Sequence, residues 1–230
     1  MAIAPRICLA SAIVLLVPAC AGPQSALDPA GPSAEAIATT WWLMFGVGAV
    51  VWGLVVVAVL LALRRGRALS QAAGTRLIVV AGGIVPTVLL AALLAYGTYT
   101  SGRVTGRDAD VDHVVRVTAR QWQWVFEHLD DDGRVLARSI DRLSLPLGAM
   151  VEFHVGSDDV IHAFWIPRLG GKIDAIPGRW NTIRLRADQA GPMRGQCAEF
   201  CGLEHALMGF DVVVLERAQF DAWLAGEGTP

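Results

Sequence analysis

The chain has 230 residues, 54% of them apolar and 17% charged, with a formal net charge of −2. The charged fraction is below the roughly 25% usual for soluble domains, and the near-neutral balance gives no footing for nucleic acid. The length allows one or two domains, and the apolar excess falls in the first hundred residues, which points to membrane segments rather than a larger core.

In chain order, "MAIAPRICLASAIVLLVPAC" combines Arg6, an apolar stretch and small residues before Cys20. This is the pattern of an exported leader. Val17 and Ala19 ahead of Cys20 resemble a bacterial lipoprotein signal, whose cleavage leaves Cys20 as a lipidated N-terminus. Residues 1–20 are therefore expected to be a signal peptide, and the Pro-, Gly- and Ala-rich residues 21–40 an extended linker on the exported side. Trp41–Leu63 and Leu77–Tyr96 carry no charge and are long enough to span a bilayer. Trp41 and Trp42 open the first span, where indoles favour the membrane interface. Pro86 inside the second is tolerable in a membrane helix. Arg64, Arg65, Arg67 and Arg76 lie between the spans with no acid among them. That bias marks the loop as cytoplasmic, so both the linker and everything after about residue 98 face outward.

Residues 98–230 are expected to form an all-β domain. In "VDHVVRVTARQWQWVFEH" Trp122, Trp124 and Phe126 alternate with smaller or polar neighbours. "MVEFHV" places Val151, Phe153 and Val155 on one face, and "RWNTIRLRAD" and "GFDVVVLE" read as further strands. Gly and Pro punctuate the gaps, a spacing that suggests a sandwich or barrel. Only "RAQFDAWLAGE" has a helical pattern. From residue 101 onward there are 19 acidic and 14 basic residues, a net of −5, which suits a basic partner or an ordinary solvated surface equally.

Chemistry concentrates in "GQCAEFCGLEHALM", Gly195 to Met208. Cys197, Cys201, His205 and Met208 bring two thiols, an imidazole and a thioether onto one loop. Such donors select copper or zinc over hard cations. A single blue-copper ion uses two histidines, one cysteine and a distant methionine, and here there is one cysteine too many. Two thiolates can instead bridge two copper ions, each with a terminal imidazole, which calls for a second histidine. His162 in "DDVIHAFWIP" is the candidate, expected to be held dry among Ile161, Phe164, Trp165 and Ile166. His154 falls on the wet face of its strand, and His113 and His128 lie among charges, so surface or core roles fit these three better. A disulfide between Cys197 and Cys201 is the alternative, but it leaves His205 and Met208 unexplained.

"DVIHAFWIP", "GKIDAIPGRWN" and "GQCAEFCGLEHALM" resemble subunit II of the haem–copper cytochrome c oxidases, over nearly the whole chain. The resemblance implies a two-helix transmembrane hairpin followed by an all-β cupredoxin-like sandwich in the periplasm of a bacterial inner membrane. It implies a dinuclear CuA centre held by His162, Cys197, Cys201, His205, Met208 and the backbone carbonyl of Glu199. The Glu199 carboxylate matches a ligand of a Mg²⁺ or Mn²⁺ shared with subunit I. Trp122 matches the tryptophan that takes electrons from cytochrome c, although Gln123 stands where the family more often has an aromatic; a core role for Trp122 is the alternative. Asp130, Asp131, Asp132, Asp158 and Asp159 could steer a basic cytochrome c. Asp174 and Arg179 are expected either to face subunit I or to close their own turn with a salt bridge.

The implied activity is that of the electron-accepting subunit of a proton-pumping oxidase, with no oxygen chemistry of its own. The second span lacks the glutamate many members carry at a proton pathway, so no proton-uptake residue is assigned. There is no C-x-x-C-H for covalent haem. Rival readings are a membrane-anchored copper chaperone or metal-storage protein and a copper-free quinol oxidase subunit II. Nitrous oxide reductase carries a similar loop but not the two-span hairpin.

Overall fold

The computed structural model describes residues 21–66, 70–105 and 109–226. The expected signal peptide and Cys20 lie outside them. The chain divides into two compact units: residues up to Ala38 together with Arg103 onward, and Thr39–Gly102.

The second unit is helical. One helix runs Pro32–Arg65. The next begins at Gln71–Leu77, continues as a π-helical stretch Ile78–Ile84 and ends as Val85–Thr105. Both are long and apolar enough to cross a membrane, and none of their apolar windows is buried. The wide stretch sits just ahead of Pro86, which supplies no N–H to the ladder. The Thr87 hydroxyl donates to the Gly83 carbonyl at 2.8 Å, satisfying a group near that break.

Among the described residues, the first unit is a sandwich of ten strands: β1 His113–Arg120, β2 Gln123–Leu129, β3 Val135–Ile140, β4 Arg142–Pro146, β5 Met150–Ser157, β6 His162–Trp165, β7 Ile173–Ala175, β8 Asn181–Arg186, β9 Gly191–Cys197 and β10 Gly209–Leu215. They form two five-stranded sheets, β3-β2-β1-β5-β8 and β4-β10-β9-β6-β7. The expected alternation of Val151, Phe153 and Val155 holds, and all three are buried. They meet Phe164, Phe210 and Val212 of the other sheet in one core. Phe164 stacks on Phe210 with centroids 5.3 Å apart, and Trp124 meets both edge-on. Each such ring stabilises the fold by roughly 1.5–3 kcal/mol on burial. Gly195 makes this possible on β9, because a Cβ there would lie 2.0 Å from the Phe210 ring. The C-terminal helix is present as Arg217–Leu224.

Residues 21–40 are not an extended linker. Helix already covers 32–40, and Ala30, Ser33, Ala34 and Ala38 are buried. The segment is strapped to the sandwich: Ala30 N–H donates to the Arg168 carbonyl, Asp188 N–H to the Ala30 carbonyl, and Arg194 N–H to the Pro23 carbonyl. Arg168 pairs with Asp28 at 3.1 Å. The small residues that suggested flexibility are there for close approach; a Cβ on Gly31 would lie 2.1 Å from the Arg186 carbonyl oxygen.

Candidate metal centre

Three neighbouring strand ends build the site. His162 opens β6, Cys197 closes β9, and the loop 198–208 returns to β10. β6 pairs with β9 through Phe164 and Cys197, and β9 with β10 through Gln196 and Gly209. Two main-chain bonds close the loop onto this frame: Cys197 N–H to the Met208 carbonyl, and Ala198 N–H to the Ala163 carbonyl, both 2.9 Å.

The donors then converge. His162, Cys197 and Cys201 are buried, with ligand atoms within 4.8 Å of one another. The two sulfurs stand 3.7 Å apart and are free thiols rather than a disulfide. His162 Nδ1 lies 3.8 Å from the Cys197 sulfur, and His205 Nδ1 lies 3.6 Å from the Cys201 sulfur. The Met208 sulfur is 3.7 Å from Cys201, and the Glu199 carbonyl accepts from Cys197 at 3.2 Å. Each thiol thus has its own imidazole and one further weak donor. Burial, and then the adjacent Cys197 sulfur, push the Cys201 thiol up to about 12. Without a cation the Cys201 thiol stays protonated, so metal uptake there must displace a proton. The set is soft and dry, and it fits a thiophilic metal.

The Glu199 carboxylate is a different case. It pairs with Lys172 at 3.3 Å, and Lys172 also reaches Asp174 at 3.7 Å. Among the described residues no second cluster of three ligand groups surrounds it. The described residues do not by themselves build a site for a hard divalent cation around Glu199. Asp174 pairs with Lys172 and not with Arg179, and the 176–179 turn is closed by the Arg179 backbone N–H donating to the Ile176 carbonyl.

Some expectations shift in detail. Ile161 is exposed, and the ring beside His162 is Trp124, 6.1 Å away and steeply inclined. Asp159 does not project freely: its carboxylate accepts from His162 Nε2 at 2.8 Å and from the Gln121 N–H at 2.7 Å. Burial raises its pKa, but those bonds and the Val160 N–H outweigh it and hold the carboxyl below its ordinary range. Asp158 pairs with Arg120, Asp132 with Arg134, and Asp130 caps its own turn by accepting from the Asp132 and Arg134 N–H groups. Trp122 is half-buried and packs against the core. Gly202 gives it room, since a Cβ there would lie 3.2 Å from the indole. Exposed Phe200, Leu203 and Leu207 make the loop surface apolar.

His154 lies partly exposed against Glu152 at 2.7 Å, as its wet-face position implied. His113 and His128 bond each other at 2.8 Å, with His128 fully buried under Phe220 and Trp223. Gln121, Trp124 and Lys172 also adjoin the site, and the donor pattern of the sequence does not mark them. Only the position of Gln121 beside Trp122 offered a signal.

Residues 130–216 match the family model for the periplasmic domain of cytochrome c oxidase subunit II. Cytochrome c oxidase subunit 2 of Alkalihalophilus pseudofirmus is 34% identical over 94% of this chain and 66% of its own length. The Bacillus sp. PS3 subunit 2 is 34% identical over 67% of this chain and 46% of its own. A probable subunit 2 of Rickettsia bellii is 30% identical over 63% and 60% respectively. The chain thus spans about half to two thirds of the length of these relatives. The solved periplasmic domain of subunit II of the Bradyrhizobium japonicum cytochrome oxidase is 30% identical, covering 52% of this chain and 95% of that one, with a TM-score of 0.48. With its two apolar helices, its sandwich and its cage of two thiols and two imidazoles, the chain belongs to the cytochrome c oxidase subunit II family.

Proposed function

We propose that this chain is the electron-accepting subunit of a proton-pumping haem–copper cytochrome c oxidase. Its two helices anchor it in a bacterial inner membrane, the Arg64–Arg76 loop lies in the cytoplasm, and the sandwich lies in the periplasm. The observation that carries the reading is the pairing of each thiol with its own imidazole across a 3.7 Å sulfur–sulfur gap.

A copper pair bound here would supply a one-electron carrier whose unpaired electron is shared by both ions. The protein does the rest. His162, Cys197, Cys201, His205, Met208 and the Glu199 carbonyl would hold the metal. Trp124, Phe164 and Phe210 form a rigid wall behind it. Trp122 presents a ring beside the loop to the donor, reduced cytochrome c, and the acceptor is haem in subunit I, where oxygen is reduced. The Glu199 carboxylate offers one oxygen toward a Mg²⁺ or Mn²⁺ completed by subunit I. Beside the 121–122 turn Asp158 is paired with Arg120 and Asp159 with His162, and Phe200, Leu203 and Leu207 are exposed on the adjoining loop, so steering by charge there is weaker than the composition suggests.

The test is a single-turnover reaction of the copper-loaded full chain in detergent with reduced cytochrome c. The haem bands should show oxidation in proportion to bound copper, slowed several-fold by Trp122→Leu. No cytochrome oxidation, with ready loss of copper to a chelator, would favour the chaperone reading instead.

A further inference from the structure

His162 is held from both sides. Its Nδ1 faces the Cys197 sulfur at 3.8 Å, and its Nε2 meets the Asp159 carboxylate at 2.8 Å. A carboxylate only accepts, so the imidazole carries a proton on Nε2, and the neutral ring in this tautomer presents its Nδ1 lone pair to a metal. Asp159 is itself fixed. Its Oδ1 also accepts from the Val160 N–H at 2.6 Å, and its Oδ2 from the Gln121 N–H at 2.7 Å. Gln121 then reaches the other half of the site, because its side-chain Nε2 donates to the Cys201 carbonyl at 2.7 Å. Gly202 leaves the space this requires: a Cβ there would lie 3.0 Å from that same amide nitrogen. Trp122 is the next residue in the chain.

We propose that Asp159 is a positioning residue for His162, and that Gln121 joins it to Cys201, so that one hydrogen-bonded brace sets the Trp122 turn and both ligand segments in register. The brace rests on the reading of His162 and Cys201 as metal ligands. A carboxylate behind a ligating imidazole fixes its tautomer and raises its basicity, and loss of such a partner costs roughly 10–100-fold in metal affinity. The assignment gives Asp159 a task besides any steering of a partner, since its carboxylate accepts from three N–H donors while its side chain stays 31% exposed.

Two readouts on the full chain in detergent test this. In metal-free protein selectively ¹⁵N-labelled at its five histidines, His162 should be the Nε2-protonated tautomer, and Asp159→Ala should release it into a tautomer mixture. A His162 protonated at Nδ1 would overturn the proposal, whether or not the chain binds copper. In copper-loaded protein, Asp159→Asn should retain the metal but raise its reduction potential, because a neutral amide supports the oxidised centre less well than a carboxylate. Gln121→Leu should leave copper content intact and lower the limiting rate of reduction at saturating cytochrome c. An unchanged potential in the first variant, or a change confined to KM in the second, would reduce these residues to structural roles. A wild-type chain that takes up no copper would refute the functional reading while the tautomer still decided the brace.

Discussion

The β1–β2 hairpin carries histidine chemistry near both of its ends, and the two ends do opposite things with it. At one end the 121–122 turn lies against the loop that holds Cys201, and His162 stands between a sulfur and a carboxylate. At the other, His113 and His128 bond each other, and Phe220 and Trp223 of the C-terminal helix close over them. An imidazole flanked by thiols and aligned by an acid is a ligand. An imidazole facing another imidazole and aromatic rings is a core residue kept neutral. The residue type is the same; the partners decide.

The sharpest way to break this comparison is to remove one histidine from each end. His162→Ala should abolish the copper pair, as should Cys201→Ser, whereas His128→Phe should leave copper per chain unchanged. Metal analysis of the three purified variants reads this directly. If His128→Phe lost copper while His162→Ala kept it, the assignment of the two ends would be reversed.

Next in size is the strap. A fragment starting at residue 100 would lose the bonds that residues 23–31 make to Arg168, Asp188 and Arg194. Because about 1 kcal/mol shifts the melting temperature of a domain this size by roughly 2–8 °C, the fragment should melt at least several degrees below one that keeps residues 21–38 fused to it. Equal melting would show the strap to be passive.

The pH response of the histidine pair comes third. Burial first, and then His113, hold the His128 pKa down to about 3, while burial and Arg217 lower that of His113. The fold therefore refuses a proton that the unfolded chain accepts near pH 6.5. The stabilisation is complete above that pH and is lost as pH falls toward 3, at about 1.4 kcal/mol per unit. Denaturation at pH 7, 5 and 4 should show this slope in the wild type and a flatter one in His128→Phe. The smallest change is Gly202→Ala. At φ +124 a side chain is strained and would crowd Gln121 and Trp122. A loss of about 1–3 kcal/mol is expected, together with a shifted copper spectrum.

The two ends also differ in how well they could be read. Cys197, Cys201, His205 and Met208 share one short loop, so their donor chemistry is visible without a fold. The brace is not. Asp159 looks like any surface acid until its turn folds the carboxylate back onto the imidazole three residues later. The His113–His128 pair depends on antiparallel register, which sets Val115 opposite His128 and so brings His113 near it. The strap is hidden for a related reason: Pro, Gly and Ala signal looseness in a linker, but they also permit the closest backbone approach. The spans were legible because twenty uncharged apolar residues have few other uses, whereas the π-helical turn before Pro86 follows from backbone accounting that composition does not show.

The most direct test is copper per chain together with the electron paramagnetic resonance spectrum of the loaded full-length protein in detergent. The account predicts two coppers per chain and the seven-line hyperfine pattern of one electron shared equally by two copper nuclei. One copper with a four-line pattern, or a site that takes zinc in preference and stays silent, would contradict it.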